Sequence, residues 1–185
     1  MKITKKETAY QGHYRLQVFT VEDKGNEFER EVFQTGKAAA ALVYDTKKQK
    51  FIFAKQFRPA VEQEMVEAVA GMLDSEDEKP ADTITREIEE EIGYAVDHLE
   101  PIYEFYPSPG AFSEKIYLFY AEVSKQVSEG GGKDDENEDI KTLELTPQQL
   151  AKHSFIDGKT LLAVEWAKAN VLPKLLDQKS KGKGK

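Results

Sequence analysis

The sequence predicts an α+β fold, an α/β/α sandwich in which a mixed β-sheet lies between helices, with a small antiparallel β-region at the N-terminus. Predicted strands outnumber predicted helices, and the helices interrupt the order of the strands. Hydrophobic residues make up 39% of the 185 residues, which is enough for a core. The predicted organisation is an N-terminal β-region at 1–36, one larger domain at 37–178 and a disordered basic tail at 179–185.

The first half of the chain is dominated by strand patterns. Residues 9–35 alternate apolar and polar side chains around the turn sequence DKGNE, which predicts an antiparallel hairpin. Two apolar strands are predicted next, KAAAALVYD and KFIFAKQFRP, on either side of a polar turn at 46–49. The segment EMVEAVAGML fits either a strand or a short helix, because a short apolar run is compatible with both.

The second half begins with the clearest helix. Pro80 suits the first turn of a helix and Gly93 suits the position just past its end, so the helix is predicted between them. The remaining predicted elements are a strand, a Pro/Gly loop and a strand in YEFYPSPGAFSEKIYLFYAEV, a flexible acidic loop in SEGGGKDDENED, a short strand in IKTLELT, and closing helices in PQQLAKHSF and TLLAVEWAKANVL.

Composition excludes several classes of function. The net charge of -8 argues against a nucleic-acid-binding protein. The absence of cysteine excludes disulfides and thiolate metal sites and favours a cytoplasmic location. No stretch resembles a signal peptide or a membrane span. An anionic substrate would therefore need a local attraction, such as a metal ion held by carboxylates.

The segment TITREIEEEIGY carries the main chemical signal. On a helix, Ile84, Ile88 and Ile92 form a buried stripe, and Glu87 and Glu91 lie beside it, one turn apart. Like charges at this spacing destabilise a helix, whereas Arg86 and Glu90 are predicted to form an i,i+4 pair of opposite charge. A hard divalent cation such as Mg²⁺ or Mn²⁺ would relieve the repulsion. The alternative is an ordinary solvated helix face.

The residues around this helix favour the metal site. The segment AGMLDSEDEKPADTITREIEEEIGY resembles the signature of the Nudix hydrolases, which is Gly, five residues, Glu, seven residues, then Arg-Glu-apolar-x-Glu-Glu-x-Gly-apolar. The match is complete from Glu78 onward. Between Gly71 and Glu78 there are six residues instead of five, so this loop departs from the signature.

The resemblance extends over roughly residues 9–172. QFRPAVEQEMVEAVAGML, YPSPGAFSE, GGGKDDENEDI and FIDGKTLLAVEW are similar to the Nudix subfamily that cleaves ADP-ribose and nucleoside diphosphate sugars, including GDP-mannose. This implies the Nudix fold and Mg²⁺- or Mn²⁺-dependent hydrolysis of a pyrophosphate bond to a nucleoside monophosphate and a sugar phosphate. It also implies a homodimer formed with the help of the N-terminal β-region.

The resemblance also implies roles for individual residues. The implied metal ligands are the carbonyl of Ala70 and the carboxylates of Glu87, Glu91 and Glu138. The implied catalytic residues are Glu136 as general base, together with Glu90 and Arg86. The candidate substrate-binding residues are Arg58, Glu67, Ser108, Glu114 and, across a dimer, Arg30. Gly130, Gly131 and Gly132 would let the acidic loop swing towards the substrate.

Three other motifs suggest a P-loop, a zinc site and an EF-hand, but each lacks a residue or a spacing that the site requires. DGKT at 157–160 is similar to part of a P-loop, but the upstream glycine would fall at His153, so Asp157 is expected to cap a helix. The three histidines lack zinc spacing, and the acidic loop lacks the glycine of an EF-hand. This loop could still be a solvated charge run. A dinucleoside polyphosphate or oxidised nucleotide as substrate, or a non-catalytic ADP-ribose sensor, also stays open.

Overall fold

A computed structural model of the chain describes residues 1–132 and 139–181, with side chains described as far as residue 177. Its strands are β1 (Lys2–Gln11), β2 (Arg15–Asp23), β3 (Asn26–Gln34), β4 (Lys37–Asp45), β5 (Lys50–Arg58), β6 (Gln63–Glu67), β7 (Val69–Met72), β8 (Tyr94–Phe105), β9 (Lys115–Gln126) and β10 (Lys141–Leu145). Its helices are α1 (Pro80–Ile92), α2 (Pro147–Leu150), α3 (Gly158–Asn170) and α4 (Leu172–Lys181), with a single 3₁₀ turn at Pro59–Val61.

A seven-stranded sheet forms the centre of the molecule. Its main path runs β10-β5-β4-β9-β8, while β6 pairs with β5 and β7 pairs with β4. The β4–β9 pair is parallel and the other pairs are antiparallel, so the sheet is mixed. Helix α1 packs on one face, and α2, α3 and α4 pack on the other. The predicted sandwich is confirmed.

Helix α1 has the predicted ends and the predicted buried face. Pro80 is its first residue, and Gly93 follows it with a φ of 79°, in the left-handed region that glycine adopts without strain. Ile84, Ile88 and Ile92 are at most 1% exposed and pack against the sheet. Full burial of such a side chain stabilises the fold by about 1.5–3 kcal/mol.

The N-terminal region is a separate sheet that extends further than predicted. The hairpin of β2 and β3 is present, but β1 adds a third strand to it. All ten residues of β1 are exposed, so this strand lacks the half-buried alternation that would have revealed it. The sheet joins the main domain at Phe33, whose N–H donates to the Ala111 carbonyl at 2.7 Å and whose carbonyl accepts from Ser113 N at 2.9 Å.

The segment EMVEAVAGML, which fits either a strand or a helix by its sequence, forms strands. Its residues pair with β5 and β4 as β6 and β7, because both neighbours offer free backbone groups at that edge. At the other end of the chain, α4 continues to Lys181, past the predicted start of the tail at residue 179. Residues 182–185 lie outside the described residues. In the described part of the chain, no helix is long and apolar enough to cross a membrane.

Candidate functional site

One cavity of about 500 Å³ collects many of the residues that the sequence singled out. It lies where the ends of β5, β6 and β7 meet the first turn of α3 and the middle of α1. Predicted site residues that line it are Arg58, Glu67, Ala70, Arg86, Glu87 and Glu114. The sheet therefore brings together side chains that are up to 56 residues apart in the sequence, from Arg58 to Glu114.

Gly71 makes room for the carboxylate of Glu87. The residue lies in β7, next to Ala70, whose backbone pairs with Ala40 of β4. A Cβ atom at position 71 would overlap the Glu87 carboxylate, so only glycine leaves this carboxylate beside the strand. Gly71 thus lets the Glu87 carboxylate lie directly against β7.

Arg86 gathers carboxylates around one guanidinium. Its Nη1 lies 2.7 Å from Glu87 Oε1 and 3.1 Å from Glu90 Oε2, and its Nη2 lies 3.3 Å from Asp74 Oδ2. Partial burial opposes the charged form, but the neighbouring Glu87, Asp74 and Glu90 carboxylates outweigh it and raise the pKa of Arg86. Arg86 therefore fixes the orientation of the Glu87 carboxylate at the cavity wall.

The other three glutamates of α1, Glu89, Glu90 and Glu91, are not among the residues that line the cavity. Glu90 is held by Arg86, which confirms the predicted i,i+4 pair. Glu91 is 3% exposed and lies on the side of α1 that faces the sheet. Its burial next to Ile88 and Ile92 confirms that the carboxylates lie at the edge of the core.

The longer loop before α1 keeps Glu78 attached to the site. The carboxylate of Glu78 accepts the N–H of Asp74 at 2.5 Å, and its other oxygen lies 3.6 Å from Arg86 Nη2. The hydrogen bond from the Asp74 backbone, together with Arg86, lowers the pKa of Glu78. The extra residue is thus accommodated within the loop, and Gly71 and α1 keep their contact.

Two cations share one buried carboxylate at the same cavity. Arg58, at the end of β5, donates to Glu67 Oε2 through Nε at 2.8 Å, and its Nη2 lies 2.7 Å from the same oxygen. Lys159 Nζ lies 3.0 Å from Glu67 Oε1. Sequence reasoning did not select Lys159, although it rejected DGKT as a P-loop. The predicted cap is confirmed, since Asp157 accepts the N–H of Thr160 at 2.9 Å.

Some residues that line the cavity had no signal in the sequence, and some predicted ones lie elsewhere. His13 and Tyr14, in the connection between β1 and β2, line the cavity. Arg30 does not; its guanidinium lies 4.5 Å from the Phe28 ring centre. Ser108 is absent from the lining, and its carbonyl accepts the N–H of Phe112 at 3.0 Å.

The glycine run before the acidic loop contacts the end of α1, and the predicted swing concerns a loop whose residues 133–138 lie outside those described. Gly131 N donates to the Glu91 carbonyl at 2.9 Å, and Gly132 N donates to the Glu90 carbonyl at 3.1 Å. A Cβ at Gly130 would lie 2.7 Å from the Glu91 carbonyl oxygen. The glycines therefore allow close approach to the end of α1. Glu136 and Glu138 lie outside the described residues.

The donor set at the α1 wall fits a hard divalent cation. Carboxylate and carbonyl oxygens are the ligands that such cations prefer. Glu87 and the backbone at Ala70 lie on the same cavity, and Gly71 leaves room for the Glu87 carboxylate beside the strand. Within residues 1–132 and 139–181, no three His, Cys, Asp or Glu side chains converge as a metal site. The predicted set also includes the Ala70 carbonyl and Glu138, and Glu138 lies outside the described residues.

Comparison with known proteins agrees with this geometry. The NUDIX domain family model matches residues 34–166. The chain is 36% identical to the GDP-mannose pyrophosphatase of Escherichia coli strain K12, over 77% of this chain and 79% of the relative. It is 36% identical to the enzyme of that name from Cronobacter sakazakii, over 74% of this chain and 75% of the relative. A crystal structure of an ADP compounds hydrolase superposes with a TM-score of 0.75, at 19% identity, over 92% and 96% of the two chains.

Proposed function

Because the chain belongs to the NUDIX domain family, we propose that it hydrolyses the pyrophosphate bond of nucleoside diphosphate sugars of the ADP-ribose and GDP-mannose type. The products are a nucleoside monophosphate and a sugar phosphate. One observation carries this proposal: a single cavity has the Glu87 carboxylate of α1 on one wall and the cations Arg58 and Lys159 on another. This is the arrangement that a metal-bound diphosphate requires.

The proposed cofactor is Mg²⁺ or Mn²⁺. Glu87, Glu91 and the Ala70 carbonyl would hold it, with Glu138 as a further ligand inferred from the family resemblance. When bound, the ion offsets negative charge on the phosphate oxygens and lowers the pKa of a coordinated water. The room that Gly71 leaves beside Glu87 supports this assignment.

The remaining roles are phosphate binding, orientation of the Glu87 carboxylate and acceptance of a proton from the attacking water. Arg58 and Lys159 bind phosphate oxygens, and Arg86 keeps the Glu87 carboxylate in place. Glu136 is proposed, from the family resemblance, to accept the proton of the attacking water. The water oxygen forms a bond to one phosphorus, the bond from that phosphorus to the bridging oxygen breaks, and the bridging oxygen leaves with the other phosphate.

The substrate class rests on the relatives and on the cavity. Relatives with the name GDP-mannose pyrophosphatase are 36% identical to the chain. The cavity volume of about 500 Å³ is in the range of pockets that enclose small organic ligands. Tyr14 lies at the cavity and packs near Phe33, with ring centres 5.9 Å apart, so an aromatic surface is available to a nucleobase.

A homodimer is proposed from the N-terminal sheet. Strand β1 is exposed along its whole length, and Ile3 and Tyr10 are 51% and 63% exposed. A small three-stranded sheet whose outer strand is exposed in this way is marginally stable without a partner surface. The family resemblance implies that Arg30, which lies outside the cavity of its own chain, contacts the substrate of the partner in this dimer.

A substrate panel tests the proposal. The protein is incubated with Mg²⁺ and ADP-ribose, GDP-mannose, other nucleotide sugars, a dinucleoside polyphosphate and an oxidised nucleoside triphosphate, and the products are separated by chromatography. Turnover should be fastest with one of the nucleotide sugars. Faster turnover of a dinucleoside polyphosphate or an oxidised nucleotide would move the enzyme to another substrate class. Binding of ADP-ribose without turnover of any compound would make the protein a sensor.

A further inference from the structure

Glu67 is a part of the cavity wall for which the proposed reaction has no direct use. It ends strand β6 and is only 4% exposed, although it borders the cavity. Its Oε2 accepts the Nε–H of Arg58 and lies 2.7 Å from Arg58 Nη2, and its Oε1 accepts from Lys159 Nζ. Both carboxylate oxygens are thus engaged by cations that lie at the same cavity.

The first turn of α3 is tied to the strand that carries Glu67. Asp157 Oδ1 lies 3.1 Å from Lys159 Nζ, and Asp157 Oδ2 accepts from the backbone and the hydroxyl of Thr160. The Thr160 hydroxyl oxygen, fully buried, accepts the N–H of Ala68 at 2.7 Å. This network fixes the base of the Lys159 side chain relative to Glu67, and the sequence DGKT supplies all of its α3 side.

We propose that Glu67 is a positioning residue that holds the Arg58 guanidinium and the Lys159 ammonium next to each other for the two phosphates of the substrate. Glu67 contacts the two cations, and the cations in turn contact the phosphates. The inference rests on the proposed function and adds to it the reason why a buried carboxylate lies in an anion-binding cavity. Arg58 has a side chain that is 41% exposed, so without Glu67 it would sample many conformations in water.

The direction in which anion affinity changes when Glu67 is removed shows whether Glu67 acts by positioning the cations or only by its negative charge. A carboxylate lowers the positive potential of the cavity, so if Glu67 acted by charge alone, its removal would tighten the binding of an anion. If Glu67 acts by holding the two cations in place, its removal weakens binding, because the cations must then be ordered by the ligand.

A double-mutant cycle tests this inference. Glu67→Gln, Arg58→Met and the double variant are compared for binding of methylenediphosphonate, a pyrophosphate analogue that water does not cleave, by calorimetry in Mg²⁺, and for kcat/KM with the best nucleotide sugar. Glu67→Gln should weaken binding and lower kcat/KM by about 10- to 100-fold. In the Arg58→Met background the same change should cost less, about threefold, because only one of the two cations that Glu67 positions, Lys159, remains.

Glu144 provides a matched control. Its carboxylate also bridges two cations, Lys48 and Lys50, each at 2.7 Å, but it lies on β10, and none of these three residues lines the cavity. Glu144→Gln should change both quantities by less than about twofold. The conservative variant Glu67→Asp keeps the charge and should recover part of the loss.

Several results would overturn the inference. Unchanged or tighter binding of diphosphonate by Glu67→Gln would do so. Additive losses of affinity in the double variant would also do so, because they would mean that Glu67 contacts the ligand independently of Arg58. A wild-type protein that binds no diphosphonate would also reject it. If the wild type binds and shows the coupling but cleaves no nucleotide sugar, the proposed function fails and the positioning role stands. If Glu67→Gln does not fold, Glu67→Asp and Lys159→Met carry the same cycle with the same criteria.

Discussion

At the scale of single residues, the candidate site depends on how closely opposite charges are placed. Glu87 is fixed from two sides, by Arg86 at 2.7 Å and by the bare backbone of Gly71. Its carboxylate is therefore oriented before any ligand arrives. Preorganised charges of this kind stabilise a transition state because they need no reorientation during the reaction, since folding has already oriented them.

Replacing Glu87 should therefore affect turnover more than folding. Glu87→Gln keeps the shape of the side chain but removes its charge, and kcat should fall by at least about 100-fold. Glu89→Gln is the matched control, since Glu89 is exposed on the same helix and lies outside the cavity lining. Initial rates over a range of Mg²⁺ concentrations, with the melting temperature of each variant, check the prediction. Equal rates for the two variants would contradict it.

At the scale of elements, the end of helix α1 and the glycine run form one unit. The carbonyls of Glu90 and Glu91 accept the N–H groups of Gly132 and Gly131, and the Gly93 carbonyl accepts the N–H of Val127 at 2.8 Å. The connection after β9 thus closes the last turn of α1, whose carbonyls have no partners within the helix. The segment that leads to residues 133–138 is attached to the helix that carries the candidate metal ligands.

A pair of glycine variants measures this attachment. Gly130→Ala and Gly131→Ala both place a side chain at positive φ, at 70° and 113°, but only the first meets backbone atoms of α1 at about 2.7 Å. Gly131→Ala should lower the free energy of unfolding by about 1 kcal/mol, and Gly130→Ala by at least about 2 kcal/mol. Urea unfolding of both variants provides the comparison. Equal losses would mean that the close approach to α1 contributes little.

The edge of the sheet at β10 should show a defined pH dependence. Hydrogen bonds from Lys48 and Lys50 lower the pKa of Glu144 below its ordinary value of 4.5. A lowered pKa stabilises the fold above the ordinary value, and this stability is lost as the pH falls through the folded value. The side chain is 27% exposed, so the contribution at neutral pH is about 1 kcal/mol or less.

Unfolding of the wild type and of Glu144→Gln at several pH values tests whether the stabilisation by Glu144 is lost as the pH falls. The difference in unfolding free energy should be constant from about pH 7 to about pH 5 and should shrink towards about pH 3. A difference that grows in acid would mean that the two lysines do not stabilise the ionised carboxylate.

At the scale of the whole molecule, the parts that sequence predicted are those with strong local patterns. The ends of α1, its buried stripe of Ile84, Ile88 and Ile92, and the Arg86–Glu90 pair all follow from spacing along one helix. These features depend on residues within one or two turns of each other, where the periodicity of the helix fixes the geometry.

The parts that sequence missed depend on long-range packing. Lys159 joins Arg58 only because α3 docks its first turn on β6 and β7, and no local pattern encodes that contact. Likewise, β1 is recognised only through its pairing with β2, because none of its side chains is buried. The contribution of Tyr14 to the cavity depends on how the N-terminal sheet joins the main domain.

The exposed N-terminal sheet leads to a prediction about assembly. Light scattering of the full chain should give a mass of about twice 21.0 kDa, because β1 exposes the large apolar side chains of Ile3 and Tyr10. Ile3→Glu together with Tyr10→Glu should shift the mass towards the monomer and lower activity, if residues from a second copy complete the site. A wild-type monomer with full activity would contradict the proposed dimer.

The central claim is that the carboxylates of α1 support metal-dependent cleavage between two phosphates. The most direct measurement is mass-spectrometric identification of the products from GDP-mannose, or from the best substrate of the panel, with Mg²⁺, with excess chelator, and after Mg²⁺ is restored. We expect a nucleoside monophosphate and a sugar phosphate with Mg²⁺, no product in chelator, and full recovery when the metal returns. Full activity in chelator, or release of a nucleoside diphosphate and free sugar, would contradict the account.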